Sequence, residues 1–81
     1  MRAIQVSRLG GPDVLELTEV PDPRPGPDDL LVRTEAIGVN FIDTYFRTGM
    51  YPHPLPYVPG DEGSGVVESV GAGVRGFAPG D

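Results

Sequence analysis

Cysteine is absent from this 81-residue chain, which leaves it neither a disulfide framework nor a thiolate metal site. Lysine is absent too. All six basic residues are arginines, set against 12 acidic residues for a formal net charge of −6. Without a basic stripe, the phosphate backbone of a nucleic acid is a poor partner, and the acidic excess reads as a solubilising surface. No apolar run approaches the ~20 residues of a membrane-spanning helix, and no signal-peptide pattern precedes the first strand. The expected setting is cytoplasmic, with no membrane and no nucleic-acid partner. Histidine occurs once, as His53 within Met50-Tyr51-Pro52-His53-Pro54-Leu55-Pro56. A loop between prolines suits a solvated side chain better than a metal ligand.

Glycine and proline are abundant instead, at 12 and 10 residues. A chain of this length makes at most one small domain, burying about 60% of its unfolded surface, and 38% hydrophobic residues give it a thin core. Ile4 and Val6 alternate with Gln5 and Ser7, the period of a half-buried strand, until Gly10-Gly11-Pro12 breaks it. Leu15 and Leu17 alternate with Glu16 and Thr18 in a second strand, which pairs with the first as a hairpin. Pro21, Pro23, Pro25 and Pro27 follow in an extended surface loop lacking backbone donors. A proline-rich ligand for a recognition domain is the sharper alternative, but such motifs usually lie in tails rather than between strands.

Leu30 to Val39 reads as a long third strand, with Arg33 and Glu35 on one face and Val32, Thr34 and Ala36 on the other. Asn40 is a natural N-cap for a short helix through Thr48, with Asp43 near the positive end of its dipole and Gly49 as its C-terminal stop. Ser64 to Val70 is a fourth strand. After it, Pro79-Gly80 marks a turn from which Asp81 leads toward a further strand. Short strands, turn glycines and one brief helix predict a mostly β fold, a small, mostly antiparallel and partly open barrel.

Gly71-Ala72-Gly73-Val74-Arg75-Gly76 matches the Gly-x-Gly-x-x-Gly dinucleotide fingerprint and follows a strand. It lacks the helix that must open there to aim backbone amides at a pyrophosphate, since Phe77-Ala78-Pro79-Gly80 starts no sustained helix. No acidic residue follows ~20 positions later either. A glycine-rich turn between strands is the better reading.

Two further segments carry the most information. Gly60-Asp61-Glu62-Gly63-Ser64-Gly65, with Gly71, has the spacing Gly-x-Glu-x-x-Gly-x5-Gly. Gly38-Val39-Asn40-Phe41-Ile42-Asp43 has the spacing Gly-x-x-x-x-Asp. Together with Met1-Arg2-Ala3-Ile4 and Gly76-Phe77-Ala78-Pro79-Gly80-Asp81, they make nearly the whole chain resemble the medium-chain dehydrogenase/reductase superfamily. Within it, the resemblance is to the zinc-free, zeta-crystallin-like quinone oxidoreductases. In the zinc-binding relatives Cys and His stand where this chain has Asn40 and Phe41, and His stands at Asp61. The resemblance implies a GroES-like catalytic domain, here its N-terminal portion, 1–81. The nucleotide-binding Rossmann domain is then expected outside these residues, and the full-length enzyme is expected to be a homodimer.

The same resemblance supplies site residues. The segment Asn40, Phe41, Ile42, Asp43, Thr44 and Tyr45 borders the nicotinamide of NADPH, and Tyr45 and Tyr51 line the quinone pocket. From the residues alone, Asn40 and Asp43 are three apart and share a helical face, and Asn40 is equally a helix cap. An aromatic face at Tyr45 or Tyr51 stacks on a flat acceptor, and a phenol donates to an oxygen gaining charge. Tyr45 also lies one turn from Phe41, so a plain core pair is its rival. Adjacent Asp61 and Glu62 point opposite ways on an extended segment, which disfavours a shared metal. Glu62 is a candidate structural hydrogen-bond acceptor.

These readings lead to a zinc-independent, NADPH-dependent quinone oxidoreductase acting on a quinone or other α,β-unsaturated carbonyl. Zinc polarises the substrate in alcohol dehydrogenases. Without it the acceptor must react under positioning and hydrogen bonding alone, which quinones and enones do and simple alcohols do not. The alternatives are a 2-enoyl-thioester reductase and, in another class, a non-catalytic GroES-like or crystallin-type module.

Overall fold

The computed structural model describes all 81 residues, and their regular structure is mostly strand with one short α-helix. The strands are β1 (Arg2–Val6), β2 (Leu15–Glu19), β3 (Leu30–Ile37) and β4 (Gly63–Val70), and the helix is α1 (Ile42–Thr48). They pair as two separate antiparallel two-stranded sheets, β1–β2 and β3–β4. The chain divides into two compact units, Met1–Pro21 with Gly38–Asp61 and Asp22–Ile37 with Glu62–Asp81.

In the first unit the expected hairpin forms in the register Ile4↔Leu17 and Val6↔Leu15. A 3-10 turn at Pro12–Val14, with Gly11 as its N-cap and proline at its start, carries the return. Proline suits that position, because the first amides of a helix have no partner to lose. The strands do not bury the whole of the face expected from their alternation. Val6 and Val14 are fully buried, but Ile4 is 42% exposed and its partner Leu17 64%. Val6 is covered where the chain returns to it: its N–H donates to the Tyr57 carbonyl at 2.8 Å, and the Tyr57 N–H donates back at 3.0 Å. Ile4 lies two residues away on the same face, where no such second pairing occurs.

α1 docks on the hairpin loop by its C-terminal end. The Gly10 N–H donates to the Arg47 carbonyl at 3.0 Å, and Arg47 Nε donates to the Gly10 carbonyl at 3.3 Å. Gly49 stops the helix as expected, in the left-handed region at φ 89°, a conformation glycine adopts without steric cost.

In the second unit, β3 ends at Ile37, two residues before the expected Val39. Its regular two-faced alternation is interrupted by register shifts at Leu31/Val32 and Thr34/Ala36. A bulge leaves one residue unpaired and turns the following side chains, so a strict period of two does not survive it. Val67 of β4 is this unit's buried apolar residue. The expected extended loop Pro21–Pro27 closes in a turn: Asp29 Oδ2 accepts the Gly26 N–H at 2.9 Å, and the Asp29 N–H donates to the Gly26 carbonyl at 3.2 Å.

The Gly71–Gly76 segment packs on that turn. The Gly71 N–H donates to Asp29 O and the Gly73 N–H to Pro27 O, both at 2.8 Å. A Cβ on Gly71 would stand 2.2 Å from the Gly26 carbonyl oxygen and 2.4 Å from that of Pro27. The glycine is therefore required by close backbone approach, and no helix opens after it. The Gly80 N–H and the Asp81 carbonyl both bond the backbone of Val67, at 2.8 Å.

Candidate active site

The segment from Asn40 to Tyr57, within the first unit, gathers most of the residues that sequence reasoning singled out. Asn40 is not the cap of α1. That position is held by Phe41, in helical conformation at φ −60° and ψ −31°, and no side chain caps the helix. The bond runs the other way: the Asn40 backbone N–H donates to Asp43 Oδ2 at 2.9 Å, and the Asp43 N–H donates to the Asn40 carbonyl at 3.0 Å. An acceptor-only carboxylate near the positive end of the helix makes the stronger, charge-assisted bond. Asn40 therefore precedes the helix rather than sharing a face of it with Asp43, and its carboxamide has no capping duty. Asn40 is exposed, with an amide donor and a carbonyl acceptor available to a ligand. Thr44 is committed locally, its Oγ1 donating to the Phe41 carbonyl at 2.6 Å.

The aromatic side chains form a continuous series. Phe41 meets Tyr45 edge-on with ring centroids 5.4 Å apart, and Tyr45 meets Tyr51 at 5.3 Å. Tyr51 then meets Phe46 at 5.7 Å, Phe46 meets His53 at 5.8 Å, and His53 lies tilted over Tyr57 at 4.5 Å. The edge-to-face geometry matches the ring quadrupole preference. The Tyr51 N–H donates to the Tyr45 carbonyl at 3.2 Å, which folds the loop back on the end of the helix. Phe41 is 75% exposed, so the Phe41–Tyr45 contact is not the buried core pair that rivalled a pocket role for Tyr45. Tyr51 is 45% exposed and Ile42 38%, so both have surface left for a ligand.

Three members of this series, Phe46, His53 and Tyr57, were missed as site candidates. The signal was available, since all but one of the three phenylalanines and three tyrosines, and the single histidine, fall between 41 and 57. His53 is exposed, as expected of a loop residue. It is nonetheless anchored, with Nδ1 2.9 Å from the Pro54 carbonyl oxygen and its ring on two aromatic neighbours. The Tyr57 hydroxyl is buried without a hydrogen-bond partner. Burial pushes its pKa up, with Arg47 opposing and Asp43 adding to the shift.

Asp61 and Glu62 are both exposed. Nowhere do three His, Asp or Glu side chains gather in a way that could hold a metal ion. Asn40 presents an exposed carboxamide and Phe41 an exposed ring, groups that could meet the nicotinamide end of a dinucleotide. The one glycine-rich candidate for a phosphate cradle is spent on packing at Gly71. A cavity of about 310 Å³ in the second unit, lined by Pro23, Arg24, Pro25, Asp29, Leu30, Leu31 and Val32, contains none of these residues.

Residues 26–81 match the alcohol dehydrogenase GroES-like domain. A quinone oxidoreductase of Pseudomonas aeruginosa is 51% identical over 81 residues, covering 99% of this chain and 25% of the relative. The crystal structure of Escherichia coli quinone oxidoreductase complexed with NADPH superposes with a TM-score of 0.95 at 43% identity, over 100% of this chain and 25% of that one. A cobalt- and zinc-bound alcohol dehydrogenase from Pyrobaculum aerophilum superposes at 0.90, also at 43% identity, over 100% of this chain and 24% of its own. The chain thus spans about a quarter of the length of the relatives it matches.

Proposed function

The chain belongs to the alcohol dehydrogenase GroES-like domain family, and we propose that it is the N-terminal portion of the catalytic domain of a zinc-independent NADPH:quinone oxidoreductase. The observation that carries this reading is the Tyr45–Tyr51 pair, in ring contact at 5.3 Å beside the exposed Asn40. NADPH, when bound, supplies the hydride. Asn40 and Phe41 border the nicotinamide, the carboxamide giving a hydrogen bond where zinc relatives carry a metal ligand. Tyr51, held by its backbone bond to Tyr45, presents a ring for a flat acceptor to stack on and a phenol for the oxygen that gains charge. The nucleotide phosphates bind outside these residues, on a separate domain. The relatives' fourfold greater length is consistent with that arrangement.

Independence of zinc is supported by the donor set. Asn40, Phe41 and Asp61 stand at ligand positions of the zinc-binding relatives, and no metal-binding cluster forms. A zinc-bound alcohol dehydrogenase shares this backbone, so zinc independence rests on the side chains at these positions. A cytoplasmic homodimer and a preference for NADPH over NADH complete the reading on family resemblance.

The test is a steady-state assay of the full-length gene product with NADPH, comparing quinones, enones, a 2-enoyl thioester and simple alcohols. Quinones are expected to have the highest kcat/KM, and alcohols to be inert with NADP+. Preference for the thioester would replace this function with an enoyl reductase, and inertness toward all four would favour a non-catalytic module.

A further inference from the structure

A quinone that accepts a hydride becomes a hydroquinone monoanion, and one proton must still reach its second oxygen. Imidazole is the side chain that both gives and takes a proton near neutrality, and this chain has a single one. His53 follows Tyr51 by two residues, and the rings are joined through Phe46, at 5.7 Å from Tyr51 and 5.8 Å from His53. Nδ1 lies 2.9 Å from the Pro54 carbonyl oxygen. A carbonyl only accepts, so the bond requires a proton on Nδ1. The imidazole is thereby held in one tautomer, and the proton it can release is the one on Nε2 of the imidazolium.

The neighbouring groups are not competing donors. On α1, Asp43 accepts the Asn40 N–H and Arg47 Nε donates to Gly10 O, and a guanidinium does not release its proton in proteins. From the other side, Tyr57 packs its ring on His53 at 4.5 Å, but its hydroxyl is buried. Tyr51 remains as an orienting donor. We propose that His53 is the proton donor of the reaction. The dihydronicotinamide is oxidised as its hydride passes to the quinone, the Nε2–H bond breaks as an O–H bond forms on the hydroquinone oxygen, and the neutral imidazole is recharged from water. This assignment rests on the quinone reductase reading above.

The experiment compares wild type and His53→Gln of the full-length gene product with NADPH and 1,4-naphthoquinone. In His53→Gln, kcat is lower by on the order of 10²-fold, KM for NADPH is unchanged, and added imidazole restores part of the rate. A second readout needs no turnover: with no nicotinamide present, naphthoquinone shifts the His53 imidazole resonances, identified by their loss in the variant. Quinone reduction that is equal in both proteins overturns the role of His53 and leaves the quinone reductase reading intact. A wild type that reduces no quinone overturns that reading and this assignment together.

Discussion

The backbone N–H of Asn40 donates to Asp43 Oδ2 at 2.9 Å, while the N–H of Asp43 donates back to the Asn40 carbonyl at 3.0 Å. This reciprocal clasp fixes where α1 begins and leaves the Asn40 carboxamide for a ligand. Asp43→Ala should therefore cost about 1 kcal/mol, the usual net value of one hydrogen bond, read as a lower Tm. Asn40→Ala should leave stability within ~0.5 kcal/mol of wild type and weaken NADPH binding, measured by fluorescence titration. The opposite pattern would return Asn40 to a structural role.

Tyr51→Phe separates pocket from core. Its loss should leave folding and NADPH affinity intact and reduce quinone kcat/KM by about 1–3 kcal/mol of transition-state stabilisation, the range for one hydrogen bond to a charged oxygen. Reduced thermal stability with unchanged kinetics would instead make Tyr51 a packing residue.

The Tyr57 hydroxyl is buried without a partner, so Tyr57→Phe removes an unsatisfied group rather than a bond. Stability should be unchanged or higher by up to about 1 kcal/mol. The pH dependence carries a sign. Burial raises this pKa, so the folded state holds the phenolic proton more tightly than the unfolded chain does. The resulting stabilisation is fully present below the ordinary value of about 10 and is lost as pH rises through the folded value. Denaturation curves of wild type should therefore fall more steeply than those of Tyr57→Phe above about pH 10, and parallel curves would contradict this.

Gly71→Ala places a Cβ against two backbone carbonyls, at 2.2 and 2.4 Å. Backbone cannot give way as a flexible side chain can, so the variant should lose at least about 1–3 kcal/mol, measured by urea denaturation. NADPH affinity of the folded fraction should be unchanged. A selective loss of affinity at full stability would make this loop a phosphate site after all.

Metal analysis of the purified full-length protein should show no stoichiometric zinc, and chelator treatment should leave quinone turnover unchanged. A tightly held zinc needed for activity would defeat the zinc-independent reading.

The order of elements was legible in the chain because it is locally encoded. Period-two alternation marks β1 and β2, a left-handed glycine at 49 stops α1, and proline and glycine pairs mark the turns. Even the false dinucleotide motif could be rejected locally, by the absence of a following helix. That Asn40, Phe41 and Asp61 are neither Cys nor His is likewise a property of the sequence alone. Other features were set by contacts between residues far apart in the chain. Val6 is buried and Ile4 is not, because Tyr57 returns to pair with one of two residues that share a face. β3 loses its alternation because bulges arise only in pairing with β4. The expected cap at Asn40 is an exception to that distance: Asp43, only three residues on, accepts the Asn40 N–H instead, a local choice between two polar side chains that residue type alone does not decide. His53 looked like a bare loop residue because nothing local to Pro52-His53-Pro54 announces ring contacts with Phe46 and Tyr57. Propensity acts over a few residues, whereas burial, register and ring packing depend on which distant segments the fold brings within reach, and that only the tertiary structure decided.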